Sequence, residues 1–175
     1  MAALQPLINK RFQMPLENRV SIAEAEQLIK EAFLKNGVKQ DVAASVSTAL
    51  VAAEAEGQVG HGFSRVKDYI AQVKSKKINV DAKIKIEHPK PTSISIDADY
   101  GFAYPALDQA ISEGALIAKE YGSAVVSIFN SHHCGALSIQ VEKIANRGLI
   151  SVMMANTPKA IAPWGGKEPF FGTNP

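Results

Sequence analysis

The feature that most constrains the fold is a change in hydrophobic periodicity near residue 88. Before it, apolar residues recur with the spacing of one helix face; after it, short apolar runs alternate with helical stretches. Strands that alternate with helices along a chain are typical of an α/β sheet. We therefore expect a mainly helical region at 1–87 and an α/β sheet region at 88–175.

Three helices are predicted in the first region. Ser21 and Glu24 have the spacing of a capping box, and Asn36-Gly37 is a stop signal, so the first helix lies between them. The others are predicted at 40–56 and 64–74. The apolar faces are Ala25, Leu28, Ile29, Ala32 and Phe33 in the first helix, and Val42, Val46, Ala49, Leu50 and Ala53 in the second.

The second region is predicted to alternate strand and helix. Its first residues, His88-Pro89-Lys90-Pro91, indicate a turn or an extended linker. Strands are predicted at 92–98, 123–129 and 149–155, and the last two are so apolar that we expect them to be buried. Helices are predicted at 105–121 and 135–147, followed by an irregular loop at 156–175.

This last loop is long and rich in apolar residues. It contains Trp164, Phe170 and Phe171 among several glycines and prolines. Loops of such length are usually functional or packed against other structure. We therefore expect either that the chain is incomplete or that another chain covers these side chains.

Composition excludes several classes of protein. The formal net charge of the 175 residues is only +2, which does not favour a nucleic-acid partner. The single cysteine forms no internal disulfide, and no apolar run reaches the length of a membrane span. We expect a cytoplasmic protein, with neither nucleic acid nor membrane as a partner.

His132 and His133 are the first candidates for chemistry. They lie directly after a predicted strand and before a predicted helix, where ligands commonly bind in α/β sheets. The positive end of a helix favours a neutral imidazole, which can accept a proton. The alternative is that both histidines are loop residues that cap the helix, and the residues alone leave both interpretations open.

His61 and Arg65 form a second candidate pair. At four positions apart they would lie on neighbouring helical turns, and the forked guanidinium of arginine binds carboxylates through two hydrogen bonds. They could thus place a carboxylate beside a proton donor. The alternative is an exposed histidine and an arginine paired with Glu54 or Glu56.

Cys134 leaves two further interpretations open. It could act as a thiol nucleophile in a hydrolase, with His61 reaching it through space. With His132 and His133 it could also bind zinc, although the spaced ligand pairs typical of such sites are absent. Neither a glycine-rich dinucleotide fingerprint nor a phosphate-binding loop is present, so these residues by themselves do not indicate a nicotinamide cofactor.

Three segments together resemble the malate/L-lactate dehydrogenase-like family, which is unrelated to the Rossmann-fold lactate dehydrogenases. The resemblance covers about residues 20 to 175 and is most specific at its end. The segments are His61-Gly62-Phe63-Ser64-Arg65 with Tyr69-Ile70; Asn130-Ser131-His132-His133-Cys134-Gly135; and Gly148-Leu149-Ile150, Ala155-Asn156-Thr157-Pro158, Ala162-Pro163-Trp164-Gly165-Gly166 and Phe171-Gly172-Thr173-Asn174-Pro175.

The resemblance implies an oxidoreductase that uses NAD or NADP to interconvert small 2-hydroxy and 2-oxo acids. It implies a mixed α+β, non-Rossmann fold, in which a helical amino-terminal part accompanies a mixed sheet layered with helices, and a homodimer. The implied roles are acid/base catalysis by His133 and His61, substrate binding by Arg65, and cofactor contact by Asn156, Thr157 and Trp164. No metal is implied.

The chain also departs from the family pattern. Gly60 replaces a serine that could orient His61, and His132 replaces an asparagine or threonine. Family members continue for about as long again, so we expect the carboxyl-terminal half to be absent, and we expect these residues alone neither to bind cofactor tightly nor to turn over. The alternative functions are a non-catalytic oligomerisation or binding fragment, and a reductase of cyclic imino acids.

Overall fold

The computed structural model describes residues 19–175, so the start of the predicted helical region, residues 1–18, lies outside the described part. Within it, five helices and a three-stranded sheet form one mixed α+β architecture, as the sequence predicts. In chain order they are α1 (Ile22–Leu34), α2 (Gln40–Ala55), α3 (Ser64–Lys74), β1 (Lys85–Lys90), β2 (Ser93–Asp97), α4 (Ala103–Tyr121), β3 (Val125–Phe129) and α5 (Leu137–Ala145).

Helix α1 begins at the predicted capping box. The Ser21 hydroxyl accepts a hydrogen bond from Glu24 N at 3.2 Å, and Ser21 N donates to the Glu24 carboxylate at 2.9 Å. The Ser21 hydroxyl also donates to this carboxylate at 2.7 Å, and this bond, followed by that from Ser21 N, holds the pKa of Glu24 below its usual value. The bounds of α1, α2 and α3 confirm the three predicted helices to within two residues. One predicted core residue is wrong: Leu28 is 60% exposed.

The main core joins the two predicted regions. Phe33 of α1 and Leu50 of α2 pack in one cluster with Tyr69 of α3 and with Phe102 at the start of α4. The Phe33 and Phe102 rings meet edge to face at 5.7 Å. Because α3 and α4 share this core, side chains from two distant parts of the sequence are held rigidly beside each other.

The sheet has the order β1-β2-β3, in which β1 is antiparallel to β2 and β2 is parallel to β3. The predicted linker around His88 and Pro89 is wrong, because both residues lie in β1. Proline is compatible with an edge strand, where its missing N–H costs no ladder hydrogen bond, and the register is irregular between Glu87 and Lys90. Helix α4 covers one face of the sheet through Ile94, Ile96, Ala98, Ala106 and Ala110.

Two predictions of burial are wrong. Strand β3 exposes Val125 and Phe129, because α4 covers only one of its faces and it lies at the edge of the described sheet. The segment 149–155 forms no strand in the described structure, since it has no strand neighbour there. Its side chains alternate instead: Met153 packs against the main core, whereas Ile150, Val152 and Met154 are 100%, 85% and 81% exposed.

The predicted irregular loop at 156–175 is confirmed apart from one isolated bridge, between Ile161 and Phe171. Trp164, Phe170 and Phe171 are exposed. Between residues 19 and 175 there is no helix of sufficient length and apolarity to cross a membrane.

Candidate active site

The turn that carries His61 connects α2 to α3 and is fastened to α2. The Glu54 carboxylate accepts a hydrogen bond from Phe63 N at 2.8 Å. Gly62 lies so close to α2 that a Cβ on it would be 3.0 Å from Glu54 Cα. Glu54 therefore serves the backbone of the turn, and glycine at position 62 allows the close approach that sets the position of His61.

Arg65 follows in the first turn of α3. Its Nε donates to the Gly60 carbonyl at 2.6 Å, and its Nη1 lies 3.8 Å from the Asp68 carboxylate. The alternative pairing with Glu54 or Glu56 is wrong. Within the described residues no hydrogen bond uses the terminal guanidinium nitrogens, and their ion pair with Asp68 is long and largely exposed, so this edge of the fork can bind a substrate carboxylate.

The loop that carries the histidine pair is tied to the carboxyl ends of β2 and β3. Asn130 has a positive φ of 50°, and its amide donates to the Asp97 carboxylate at 3.1 Å. Tyr100 N donates to Asn130 O at 2.6 Å, and His132 N donates to Gly101 O at 3.1 Å. Backbone and side-chain hydrogen bonds thus hold both ends of the turn that leads into the histidines.

The His133 side chain contacts His61 in the turn between α2 and α3. Its ring stacks on that of His61, with centroids 5.6 Å apart and planes inclined by 14°. Its Nδ1 lies 2.7 Å from the Tyr69 hydroxyl. Burial, followed by electrostatic interactions with Arg65, His61 and His132, lowers the pKa of His133 to about 4. The ring is therefore neutral at neutral pH, as the sequence predicts, but burial rather than a helix end is the main cause.

Two tyrosines support His133 from the core. The Tyr69 and Tyr104 hydroxyls are 3.0 Å apart, and both side chains are buried. Burial raises the pKa of Tyr69 to about 12 and raises that of Tyr104 further. Tyr69 has no predicted role from the sequence, and Tyr104 is not among the predicted site residues. Tyr69 follows Arg65 by four residues on the same helix, and this spacing was the available signal.

His132 has a different environment from His133. Its Nε2 contacts the Gln72 side-chain oxygen, and its Nδ1 is buried without a partner among the described residues. Burial lowers its pKa as well. Of the two adjacent histidines, only His133 stacks on His61.

Cys134 does not resemble a nucleophile or a metal ligand. Burial raises the pKa of its thiol, so the reactive thiolate is disfavoured. Its side chain packs against the main core. Residues 19–175 contain no group of three or more His, Cys, Asp or Glu side chains arranged to hold a metal ion.

The three candidate cofactor residues lie in the carboxyl-terminal loop. Thr157 is engaged within the loop: its N–H donates to the Asn174 side chain at 2.9 Å, and its hydroxyl is 3.3 Å from that of Thr173. Asn156 and Trp164 are exposed and make no side-chain hydrogen bond with described residues. No hydrogen bond in the described structure joins this loop to His61 or His133.

The implied nicotinamide cofactor can be tested against these groups. The exposed indole of Trp164 offers a flat apolar surface, and the free amide of Asn156 has donors and an acceptor for a polar ring substituent. Both fit a heteroaromatic cofactor. The Thr157 hydroxyl fits less well, because Asn174 and Thr173 already engage it.

The chain matches the family described as malate/L-lactate dehydrogenase over residues 20–175. It is 38% identical to a (2R)-3-sulfolactate dehydrogenase (NADP(+)) from Chromohalobacter salexigens, a match that covers 91% of this chain and 48% of the relative. It is 32% identical to a ureidoglycolate dehydrogenase (NAD(+)) from Escherichia coli O157:H7, a match that covers 90% of this chain and 45% of the relative.

A solved structure is similar as well. The crystal structure of a delta1-piperideine-2-carboxylate reductase from Pseudomonas syringae superposes with a TM-score of 0.83 at 32% identity, over 89% of this chain and 47% of that one. The chain thus spans about half the length of the relatives that it matches.

Proposed function

The chain belongs to the malate/L-lactate dehydrogenase family, and we propose that it contributes to an NAD(P)-dependent oxidoreductase that interconverts small 2-hydroxy and 2-oxo acids. The observation that supports this proposal best is the meeting of His61, Arg65 and His133. A guanidinium edge whose terminal nitrogens make no hydrogen bond with the described residues, beside a neutral, half-buried imidazole, suits a substrate that carries a carboxylate next to a hydroxyl or carbonyl group.

Arg65 has the substrate-binding role in this proposal. The hydrogen bond from its Nε to Gly60 fixes the plane of the guanidinium, and the terminal nitrogens then hold the substrate carboxylate. This fixes the position of C2 relative to His133, and such positioning is itself a large catalytic contribution.

His133 has the acid/base role. In reduction, its Nε2–H donates a hydrogen bond to the carbonyl oxygen, and the ring in its protonated form supplies the proton of the new hydroxyl. In oxidation, the unprotonated Nε2 of the neutral ring receives the proton of the hydroxyl. A positioned acid or base of this kind contributes on the order of 10²–10⁴-fold to the rate. His61 stacks on this ring and serves as a second acid/base group or as its support.

The nicotinamide cofactor, when bound, exchanges the hydride at C2. Asn156 and Trp164 would hold it, the first through its amide and the second through the face of its indole. Exposed apolar side chains that are near them in the sequence, including Ile150 and Phe170, would exclude water when covered. The exposed apolar surface that includes Ile150 and Phe170 also supports the proposal of a homodimer. The location that we propose is the cytoplasm.

A reductase of cyclic imino acids is the second candidate function. It is supported by the similarity to the piperideine-carboxylate reductase from Pseudomonas syringae. Such a substrate also carries a carboxylate beside the reducible carbon, so Arg65 would bind it in the same way. Only the group that faces His133 differs.

A substrate panel with both cofactors tests the proposal. The protein expressed from its complete natural reading frame is supplied with NADH or NADPH and with oxaloacetate, pyruvate, sulfopyruvate or a cyclic imino acid. We expect reduction of at least one 2-oxo acid. Reduction of the imino acid alone would favour the second candidate. If the protein instead forms a stable, monodisperse complex, and adding it to NADH or NADPH leaves the fluorescence of both cofactors unchanged, this result would indicate a non-catalytic binding module.

A further inference from the structure

The groups Tyr104, Tyr69 and His133 form a line of hydrogen bonds from the core to the candidate site. The two hydroxyls are 3.0 Å apart, and Tyr69 Oη is 2.7 Å from His133 Nδ1. We propose that Tyr69, whose hydroxyl is held by Tyr104, keeps neutral His133 in the tautomer that carries its proton on Nε2, so that the ring presents an N–H donor to the substrate oxygen. This inference rests on the proposed function for its substrate, but not for the tautomer itself.

The direction of this line follows from counting protons. Each tyrosine hydroxyl has one proton to donate, and both side chains are almost fully buried, Tyr69 at 1% and Tyr104 at 2% exposure. If Tyr104 donates to Tyr69 and Tyr69 donates to Nδ1 of His133, both protons have an acceptor. In that arrangement Nδ1 carries no proton, and the neutral ring must carry its proton on Nε2.

The opposite direction leaves a buried donor without a partner. Nδ1–H would donate to Tyr69, and Tyr69 would donate to Tyr104. Among the described residues the Tyr104 hydroxyl has no second hydrogen-bond partner, so its proton would then lack an acceptor. An unsatisfied buried donor is costly enough to disfavour that tautomer by at least about fivefold.

The neutral ring is the form that matters at neutral pH. The groups that face His133 are Arg65, His61 and His132, and none of them is an anion that would stabilise the imidazolium. Burial and these neighbours hold the pKa of His133 at about 4. Hence the tautomer, rather than the charge, decides whether Nε2 donates or accepts.

This arrangement favours the binding of the 2-oxo acid over the 2-hydroxy acid in the resting protein. The carbonyl oxygen of a 2-oxo acid can accept the Nε2–H hydrogen bond directly. A 2-hydroxy acid can give its proton to Nε2 only after the ring has moved its own proton to Nδ1, and the two tyrosines disfavour that state. Tyr69 is thus a positioning residue that acts through His133, and Tyr104 holds the Tyr69 hydroxyl in place.

Nuclear magnetic resonance tests the tautomer without any need for turnover. The protein expressed from its complete natural reading frame is labelled with ¹⁵N-histidine, and long-range proton–nitrogen spectra at neutral pH distinguish protonated from unprotonated ring nitrogens. The His133 signals are those that disappear in His133→Asn. We expect a protonated Nε2 and an unprotonated Nδ1. A protonated Nδ1, or an equal mixture of tautomers, would overturn the proposal.

Variants separate tautomer control from support of the fold. In Tyr69→Phe the donor to Nδ1 is lost, and we expect the Nδ1–H fraction to rise severalfold. In Tyr104→Phe, Tyr69 still donates to Nδ1, so the Nε2–H tautomer should remain. The control is Tyr121→Phe, which alters an exposed tyrosine. If Tyr69→Phe folds but leaves the tautomer ratio unchanged, the proposal is wrong; if it does not fold, the wild-type spectrum decides.

The proposed function can fail separately. Absence of any response to NADH and NADPH would contradict it, whereas the tautomer of His133 would still be read from the same spectra.

Discussion

Replacement of Gly135 by alanine should destabilise the protein through two additive effects. Gly135 has a φ of +71°, in the left-handed region that residues with a side chain rarely adopt. A Cβ at this position would lie 2.6 Å from Tyr104 Oη and 3.0 Å from Tyr104 Cε1. The new methyl group would therefore strain the backbone and also displace a buried aromatic ring.

The size of each effect can be estimated. The left-handed conformation costs a residue with a Cβ about 1–2 kcal/mol. Overpacking of a buried site typically costs about 1–3 kcal/mol more. Gly135→Ala should thus lower the free energy of unfolding by about 2–5 kcal/mol.

Gly122 provides a matched control. It has a similar φ of +87°, but a Cβ there would meet nothing within 4 Å. Gly122→Ala should therefore show only the conformational cost, about 1–2 kcal/mol. Urea denaturation followed by circular dichroism measures both variants against the wild type. Equal destabilisation by the two substitutions would refute the claim that Gly135 is needed for close packing against Tyr104.

Four further predictions follow from the site. The pKa of His133 is about 4 in the folded protein and 6.5 as its ordinary value, so the unfolded chain binds more protons between these two pH values. The free energy of unfolding should therefore fall as the pH drops from about 6.5 to about 4, and it should fall less in His133→Asn. Denaturation at a series of pH values measures both. Arg65→Lys should raise KM for the acid about tenfold or more with a smaller change in kcat, because a bidentate, charged contact is lost; an unchanged KM would exclude the clamp. Gly62→Ala should also raise KM, since its Cβ would lie 2.8 Å from Glu54 Cβ and the turn that holds His61 must move. Gly60→Ala is the control, because a Cβ there meets nothing within 4 Å. If steady-state kinetics show the same KM for both variants, this explanation is wrong. Cys134→Ser should retain most of the activity, because burial keeps the thiol protonated, and complete inactivation would revive the nucleophile hypothesis.

Local signals predicted most of the helical structure. The capping box at Ser21, the apolar faces of α1 and α2 and the position of α3 follow from side-chain spacing within one element. The same holds for α4, which ends at the predicted Tyr121 with Gly122 in the left-handed cap. These features depend on neighbours a few residues apart, which the sequence shows directly.

Burial of strands depends on partners that a linear pattern does not reveal. The apolar runs of β3 and of 149–155 suggested buried strands, but their exposed faces have no neighbour within the described residues. The reverse error occurred at His88 and Pro89, where turn-forming residues concealed an edge strand.

The candidate site was predictable in its residues but not in its geometry. The pairs His61 with Arg65 and His132 with His133 were identified from spacing and from position at a strand end. The stacking of His61 on His133 joins residues 72 positions apart in number. The contact from Tyr69 to His133 likewise crosses 64 positions. Neither contact has a local signal, and both depend on the shared core of α3 and α4.

The most direct test of the central claim compares His133→Asn with His88→Asn. Both variants are expressed from the complete natural reading frame, and kcat/KM is measured for NAD(P)H-dependent reduction of the preferred 2-oxo acid. We expect His133→Asn to lose about 10²–10⁴-fold in kcat/KM and His88→Asn, an exposed residue of β1, to keep the wild-type value. Full activity in His133→Asn would contradict the account.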